Sequence, residues 1–298
     1  MSDHVLGALA GLVAALCWAI GSLLFERIGK VGASAGAMNL GKTSASALVV
    51  FLVSVALRGR MLPEGVTPSE LGMLAASAVV GLTIGDTAYF TSIRAIGATR
   101  GVLLLSTAPL FAVAIELPTR GVPPPRELAG VALTLAGIAL VLARPGAVKE
   151  HASARGVLFG LLAGLCQAVG SLLSRGATQG AVDPLSATWM RLLVGAAALA
   201  AIGVASGSFA TWLRELGRGR TFARVAGASF VGTVLGLFLS QVALAKASSA
   251  GVATTMLATS PLFALPIAHA TGGDAITLRS VIGALLAVLG IALLTGNA

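Results

Sequence analysis

Charge is scarce in this chain. Of its 298 residues, 10% are Asp, Glu, Lys or Arg, where a soluble globular protein carries about 25%. That is too little polar surface to face water on all sides. A soluble enzyme is excluded, and so is a disordered chain, which needs high charge and low hydrophobicity.

Cysteine and histidine are also sparse. Cys17 and Cys166 each sit inside an apolar run, with no CxxC spacing. This rules out a disulfide scaffold and signals neither zinc nor redox chemistry. A free cysteine in such a run acts as a small hydrophobe. His4, His151 and His269 stand apart from one another and from any acidic cluster, so no catalytic or metal-binding constellation can be assembled from them. There is no GxxxxGK[ST] motif, so ATP does not drive the protein directly. No cofactor is implied.

What is present is hydrophobicity. Apolar residues make up 56% of the chain, with a mean hydropathy of +0.95. Only a lipid-facing surface fits. The net charge of +9 would suggest nucleic acid in a soluble protein. Here the bases are scattered between apolar runs, where Arg and Lys snorkel to headgroups. No basic block interleaved with aromatics exists, and nucleic acid is not an expected partner.

A membrane-spanning helix needs roughly 20 mostly apolar residues. On that rule the expected spans are 5–26, 36–57, 71–93, 97–118 and 126–143, then 156–175, 184–205, 222–245, 249–270 and 278–296. Met1-Ser-Asp-His4 carries no basic stretch, so the first run reads as a retained helix and not a cleaved signal. Connections are short and marked by turn residues, as at Pro63-Glu64-Gly65, Pro123-Pro124-Pro125, Arg144-Pro145-Gly146, Asp183-Pro184 and Gly272-Gly273-Asp274. The break at Arg94-Ala-Ile-Gly97 divides the third run from the fourth. Gly130, Gly137, Gly283 and Gly290 are spaced for close helix packing.

The chain repeats itself. Gly7-Ala-Leu-Ala-Gly11, Leu16-Cys17 and Gly21-Ser-Leu-Leu24 line up with Gly156-Val-Leu-Phe-Gly160, Leu165-Cys166 and Gly170-Ser-Leu-Leu173, at 166 − 17 = 149. Ser106-Thr-Ala-Pro-Leu-Phe111 matches Ala258-Thr-Ser-Pro-Leu-Phe263, at 261 − 109 = 152. Gly137-Ile-Ala-Leu140 matches Gly290-Ile-Ala-Leu293. Residues 1–145 and 156–298 are therefore two five-helix repeats joined by 146–155. Five is odd, so the second repeat enters the membrane inverted, an arrangement that transporters use.

These residues resemble a known family. Leu16-Cys-Trp-Ala-Ile-Gly-Ser22, Tyr89-Phe-Thr-Ser-Ile-Arg-Ala95, Ser106-Thr-Ala-Pro109-Leu-Phe, Trp189-Met-Arg191 and Gly283-Ala-Leu-Leu-Ala-Val-Leu-Gly290 look like the EamA repeats of the drug/metabolite transporter superfamily. The resemblance covers essentially the whole chain. It implies an all-α polytopic membrane protein of ten helices with a central cavity. It also implies movement of small metabolites, often export of amino acids. Two departures stand out. Lys42 stands where the family's second span usually has Arg, and Asp86 faces Phe238 in the repeat alignment.

Ionisable groups inside a membrane are costly and mark function by default. Lys42, Asp86, Glu116, Arg191 and His269 are the inventory. Lys42 and Asp86 lie at similar depth and are expected to pair, either as a static link or as a gate. Arg191 aligns with Lys42 but has no acid opposite, which suits a substrate carboxylate or phosphate; snorkelling, or binding backbone carbonyls at a broken helix, is the alternative. Trp18, Ser22, Phe25 and Glu26 share a face of the first span, and Gln167, Ser171, Ser174 and Arg175 the matching face of the sixth. This reads as cavity lining, with interhelical hydrogen bonding as the alternative. Tyr89 and Gln241 are aligned cavity candidates. Pro109 and Pro261 sit mid-span in both repeats and are candidate hinges, or else static kinks. Glu116 and His269 lie near span ends. Asp86 and Glu116 are the residues through which protons would couple.

The side bearing both termini carries Arg58, Arg60, Arg120, Arg126, Arg175 and Lys246. The other side carries Arg27, Lys30, Arg94, Arg100, Arg144, Lys149, Arg155, Arg214, Arg218, Arg220, Arg224 and Arg279. The positive-inside rule puts the termini outside; the resemblance implies cytoplasmic termini in a bacterial inner membrane. The leading function is a secondary exporter of small metabolites such as amino acids. A proton-coupled exporter of cationic drugs is the nearest rival, and a membrane enzyme or structural protein the remote one.

Overall fold

The structure is a computed structural model that describes residues 3–30, 32–59, 65–96, 98–142, 153–270 and 277–295. The turn residues 63–64, 144–146 and 272–274, Gly97 and most of the 146–155 linker lie outside the described residues. Every regular element among those described is helical. In chain order they are α1 (Asp3–Lys30), α2 (Ala35–Arg58), α3 (Pro68–Ile96), α4 (Ala98–Leu105), α5 (Ala108–Arg120), α6 (Pro125–Leu142), α7 (Ala154–Thr178), α8 (Pro184–Ala205), α9 (Phe209–Gly217), α10 (Thr221–Lys246), α11 (Ala250–Leu257), α12 (Ser260–Ala270) and α13 (Leu278–Thr295).

Helices α1, α2, α3, α7, α8 and α10 are each long and apolar enough to cross a membrane. Helices α6 and α13 have 18 residues each, about 27 Å at 1.5 Å per residue. The large side chains left exposed, such as Leu48, Leu52, Leu57, Leu158, Leu285 and Val288, form the surface that lipid covers.

Sequence signals set the helix ends. Ser34 accepts a hydrogen bond from the Ala37 N–H at the start of α2. Thr67 and Glu70 form a reciprocal capping box at α3, which satisfies two orphan donors at once. Asp183 accepts from Leu185 and Ser186 and is followed by Pro184 at the first turn of α8, where a missing N–H costs nothing.

Ten uninterrupted spans are only roughly what forms. The fourth and ninth are each broken in two, at 106–107 and 258–259. A proline in a helix interior removes one N–H and clashes with the carbonyl four residues back. Pro109 and Pro261 therefore fall just inside the second half of each broken span. The Thr107 and Thr259 hydroxyls donate to Leu104 O (2.6 Å) and Met256 O (2.7 Å), beside the backbone N–H of the same threonine, and so tighten the turn at each break. Helix α9 is an additional short element between the seventh and eighth spans, where the sequence reads as a connection. Its Trp212 fits against Gly36 and Gly203.

The two halves interlock by a pseudo-two-fold axis. Ser106 Oγ lies 3.4 Å from Ala258 O, and these are repeat-equivalent positions, 258 − 106 = 152. Equivalent residues in contact must lie on the axis. Helices α6 and α13 cross on it too: Gly137 lies against Gly283 O, and Gly290 against Gly130 O. A Cβ at Gly137 would stand 2.4 Å from that oxygen, so these glycines serve close packing. Two further crossings link the halves. Gly21 of α1 meets Gly232 of α10, and Gly170 of α7 meets Gly81 of α3.

Those crossings coincide with π-helical turns, Ala78–Gly85 in α3 and Phe230–Leu235 in α10. They start at equivalent positions, 230 − 78 = 152. Single π-helical turns inside α-helices frequently mark functional sites.

Candidate functional site

The first π-turn ends at Asp86, whose N–H reaches Gly81 O five residues back. Buried Asn39 on α2 supports this geometry. Its amide donates to Leu82 O (2.8 Å) and to Thr87 Oγ1 (3.0 Å), and its own oxygen accepts from Thr43 (3.2 Å). Asn39 thus holds the start of the α-helical segment that carries Asp86. The sequence reading missed it, because one polar residue in a mixed helix gives no signal of its partner.

Asp86 forms an ion pair with Lys42 of α2. The Lys42 side chain is 7% exposed and that of Asp86 25%. The ammonium also lies 5.5 Å from the centre of the Phe90 ring, within cation–π range. The expected pair is therefore present.

Arg191 enters from α8 of the other half. It is 3% exposed, and its Nε is buried without a hydrogen-bond partner. It forms no salt bridge with the described residues, although it feels the field of Asp86. Gly81 makes room for it: a Cβ there would stand 3.1 Å from a guanidinium nitrogen.

Lys42, Asp86 and Arg191 converge on one cavity of about 1030 Å³, its open mouth included. Trp18, Ser22, Tyr89 and Gln167 line the same space. Trp18 lies against Gly236, and the Tyr89 hydroxyl lies 3.3 Å from Ser22 Oγ, which itself donates to Trp18 O (2.8 Å). Phe25 and Phe90 pack at 5.4 Å between centroids and add to an aromatic wall. Phe90, Ser106, Thr233 and Thr254 also line the cavity and were not anticipated.

Ser171 and Gln241 lie off the cavity wall. Gln241 is fully buried and accepts a hydrogen bond from Ser174; Ser171 is 1% exposed and lies 3.4 Å from the Gln167 amide. Arg175 is drawn inward as well, donating to Leu244 O and Ser248 O (3.2 Å) at the end of α10. Trp18, Ser22 and Phe25 of the α1 stripe line the cavity and Glu26 does not, whereas the stripe of α7 is spent largely on helix contacts, with Gln167 as the exception. Glu116 lies by the first N–H groups of α11, accepting from Ala250 (3.3 Å) and Gly251 (3.2 Å). His269 is exposed near the end of α12. Both cysteines are buried thiols, and the described residues hold no cluster of three metal-ligating side chains.

Two inverted helical halves around a central cavity that holds Lys42, Asp86 and Arg191 define a carrier-type fold. The EamA-like transporter family model matches residues 5–143 and again 154–296. The chain belongs to the EamA-like transporter family. It is a transporter, not an enzyme, and the family performs secondary transport of small molecules. A solved chain described as "Crystal structure of protein" superposes with a TM-score of 0.76 at 18% identity, over 97% of this chain and 96% of that one. That likeness is one of fold. No curated protein matches the chain.

Proposed function

We propose that this chain carries a small carboxylate-bearing metabolite, an amino acid or a close relative, by alternating access between its two halves. The observation that carries this reading is Arg191: a guanidinium buried at the cavity wall with an unpartnered Nε. A buried charge is strongly penalised unless paired, and a planar fork of donors matches a carboxylate in two-point fashion. The cavity wall holds two bases, Lys42 and Arg191, and one acid, Asp86. With both bases charged, that balance favours an anionic group on the cargo and disfavours a cationic drug. Trp18, Phe25, Phe90 and Tyr89 offer apolar and aromatic surface for the rest of it. Export from a bacterial cytoplasm, with both termini inside, is the direction and orientation that the family resemblance supports.

The test is counterflow into proteoliposomes holding the purified protein, without an imposed pH gradient. The panel is labelled neutral, aromatic and acidic amino acids and one cationic dye. Saturable exchange of an amino-acid class, with none of the dye, is the expected result. Dye exchange without amino-acid exchange would replace this reading with the cationic-drug one. Exchange of none of the panel would sink the amino-acid assignment.

A further inference from the structure

A second cavity lies away from the central one. Ser44 of α2 and Ala196 and Ala200 of α8 make a floor of small residues under α9, continued by Gly41, on which Leu216 rests. Leu213 and Phe222, 49% and 50% exposed, flank its mouth. The groove has about 890 Å³ of space, open side included, and an almost wholly apolar wall. Its depth follows from its helices: α2 begins and α8 ends at the side where α9 lies, so the groove runs from the membrane interface into the hydrocarbon layer.

The chain beside this groove is basic. Arg218 and Arg220 lie in the turn between the lining residues Gly217 and Phe222, with Arg214 on α9 and Arg224 on α10, against one acid, Glu215. Glu215 is already engaged, accepting the Ser34 N–H at the start of α2 (2.8 Å). Arg214 folds back onto its own helix at Ala210 O (3.3 Å) and Thr211 Oγ1 (3.1 Å). Arg218, Arg220 and Arg224 are exposed and form no ion pair or side-chain hydrogen bond with the described residues. The turn that presents them is shaped by Gly219, at φ +55°, a left-handed conformation open to glycine at little cost.

We propose that this groove is a binding site for an anionic phospholipid, with one acyl chain on the Ser44–Ala196–Ala200 floor. The phosphate is held by Arg218, Arg220 and Arg224. A floor of small side chains admits a chain where larger ones would fill the space, and three uncompensated guanidiniums at headgroup level complement a phosphate that carries net negative charge. A zwitterionic lipid offers the same chain but cancels the attraction. The site is independent of which solute the central cavity carries.

The experiment is native mass spectrometry of the purified full chain in mild detergent. It is incubated with phosphatidylglycerol or with phosphatidylcholine of identical chains, and its thermal midpoint is measured with each. Wild type is expected to retain phosphatidylglycerol over phosphatidylcholine by roughly tenfold or more, given the attraction of about three basic residues. R218Q/R220Q/R224Q is expected to bring that ratio near one. Ala200→Phe, which fills the floor and leaves the arginines alone, is expected to abolish the phosphatidylglycerol-dependent thermal shift. Ser44→Leu provides the same test if the first variant fails to fold. Equal retention of the two lipids by wild type would overturn the proposal. So would a preference that survives either kind of variant, or inorganic phosphate reproducing the full thermal shift.

Discussion

Gly21 and Gly232 cross so closely that a methyl group on Gly21 would stand 2.8 Å from the Cα of Gly232, and the reverse holds equally. Backbone meets backbone here, so no side chain can yield. Helix association in lipid lacks a hydrophobic drive and depends on such contact. Gly21→Ala is expected to destabilise the protein by about 1–3 kcal/mol, the usual range for overpacking. The thermal midpoint in detergent reads this, with Gly72→Ala, whose new Cβ meets nothing within 4 Å, as the control that carries the same helix-propensity gain without the clash. Equal midpoints for the two variants would refute the account.

The Lys42–Asp86 pair makes a different prediction. Asp86→Asn leaves the Lys42 ammonium buried without its counter-ion, and breaking a buried pair costs about 3–5 kcal/mol. Asp86 keeps some exposure, so the lower end applies. Removing both charges in K42M/D86L is expected to recover most of the loss. Thermal unfolding of wild type and the two variants checks this, and a double variant less stable than D86N would contradict it.

Arg191→Gln is expected to weaken binding of a carboxylate cargo by roughly tenfold to hundredfold, the worth of hydrogen bonds to a charged group. A decarboxylated amine analogue should lose much less. Gly81→Ala should act in the same direction, because the added Cβ presses on the guanidinium. Competition of each ligand in counterflow separates the effects. Equal losses for the acid and its amine analogue would remove Arg191 from carboxylate recognition.

Pro109→Ala and Pro261→Ala restore an N–H that can reach the carbonyl of Leu105 or Leu257 and wind the helix through its break. If the breaks are hinges, turnover should fall roughly tenfold with little change in stability, as hinge substitutions do. Transport rate and thermal midpoint measured on the same preparations decide it. Unchanged turnover would make the breaks static kinks.

Asp183 gives the pH prediction. Burial raises its pKa, but hydrogen bonds from Arg58 (2.7 Å) and Ser186 outweigh burial, and the net shift is downward from 3.8. A lowered folded-state pKa means stability that is present above the unfolded value and lost as pH falls through the folded one. Asp183→Ala should cost about 1 kcal/mol at neutral pH, as loss of a helix N-cap does. The gap between wild type and variant should close below the unfolded value. A gap that persists undiminished at strongly acid pH would contradict the assignment.

Much of the fold was legible because lipid burial demands long apolar runs, and because duplication printed those runs twice. The Lys42–Asp86 pair was legible from matched depth alone. The π-turns were not, since an apolar stretch such as Ala78–Gly85 reads alike in either helical pitch. Helix α9 escaped because nine residues cannot span, and a short amphipathic stretch reads as a connection. Ser171 and Gln241 were placed on the correct helices. Whether such a residue faces the cavity or a neighbour depends on how far each helix rotates about its axis, and the π-turn in α10 alters that rotation.

The Asp86/Phe238 mismatch has an energetic meaning. Were the two halves identical in sequence, exchanging their conformations would return the same molecule upside down. The two facing states would then be degenerate, each occupied half the time. An ion pair confined to one half removes that degeneracy, because the exchange moves it between unequal surroundings. Every 1.4 kcal/mol of resulting splitting shifts the occupancy ratio tenfold. The side on which an empty carrier of this kind waits is thus biased by a single carboxylate.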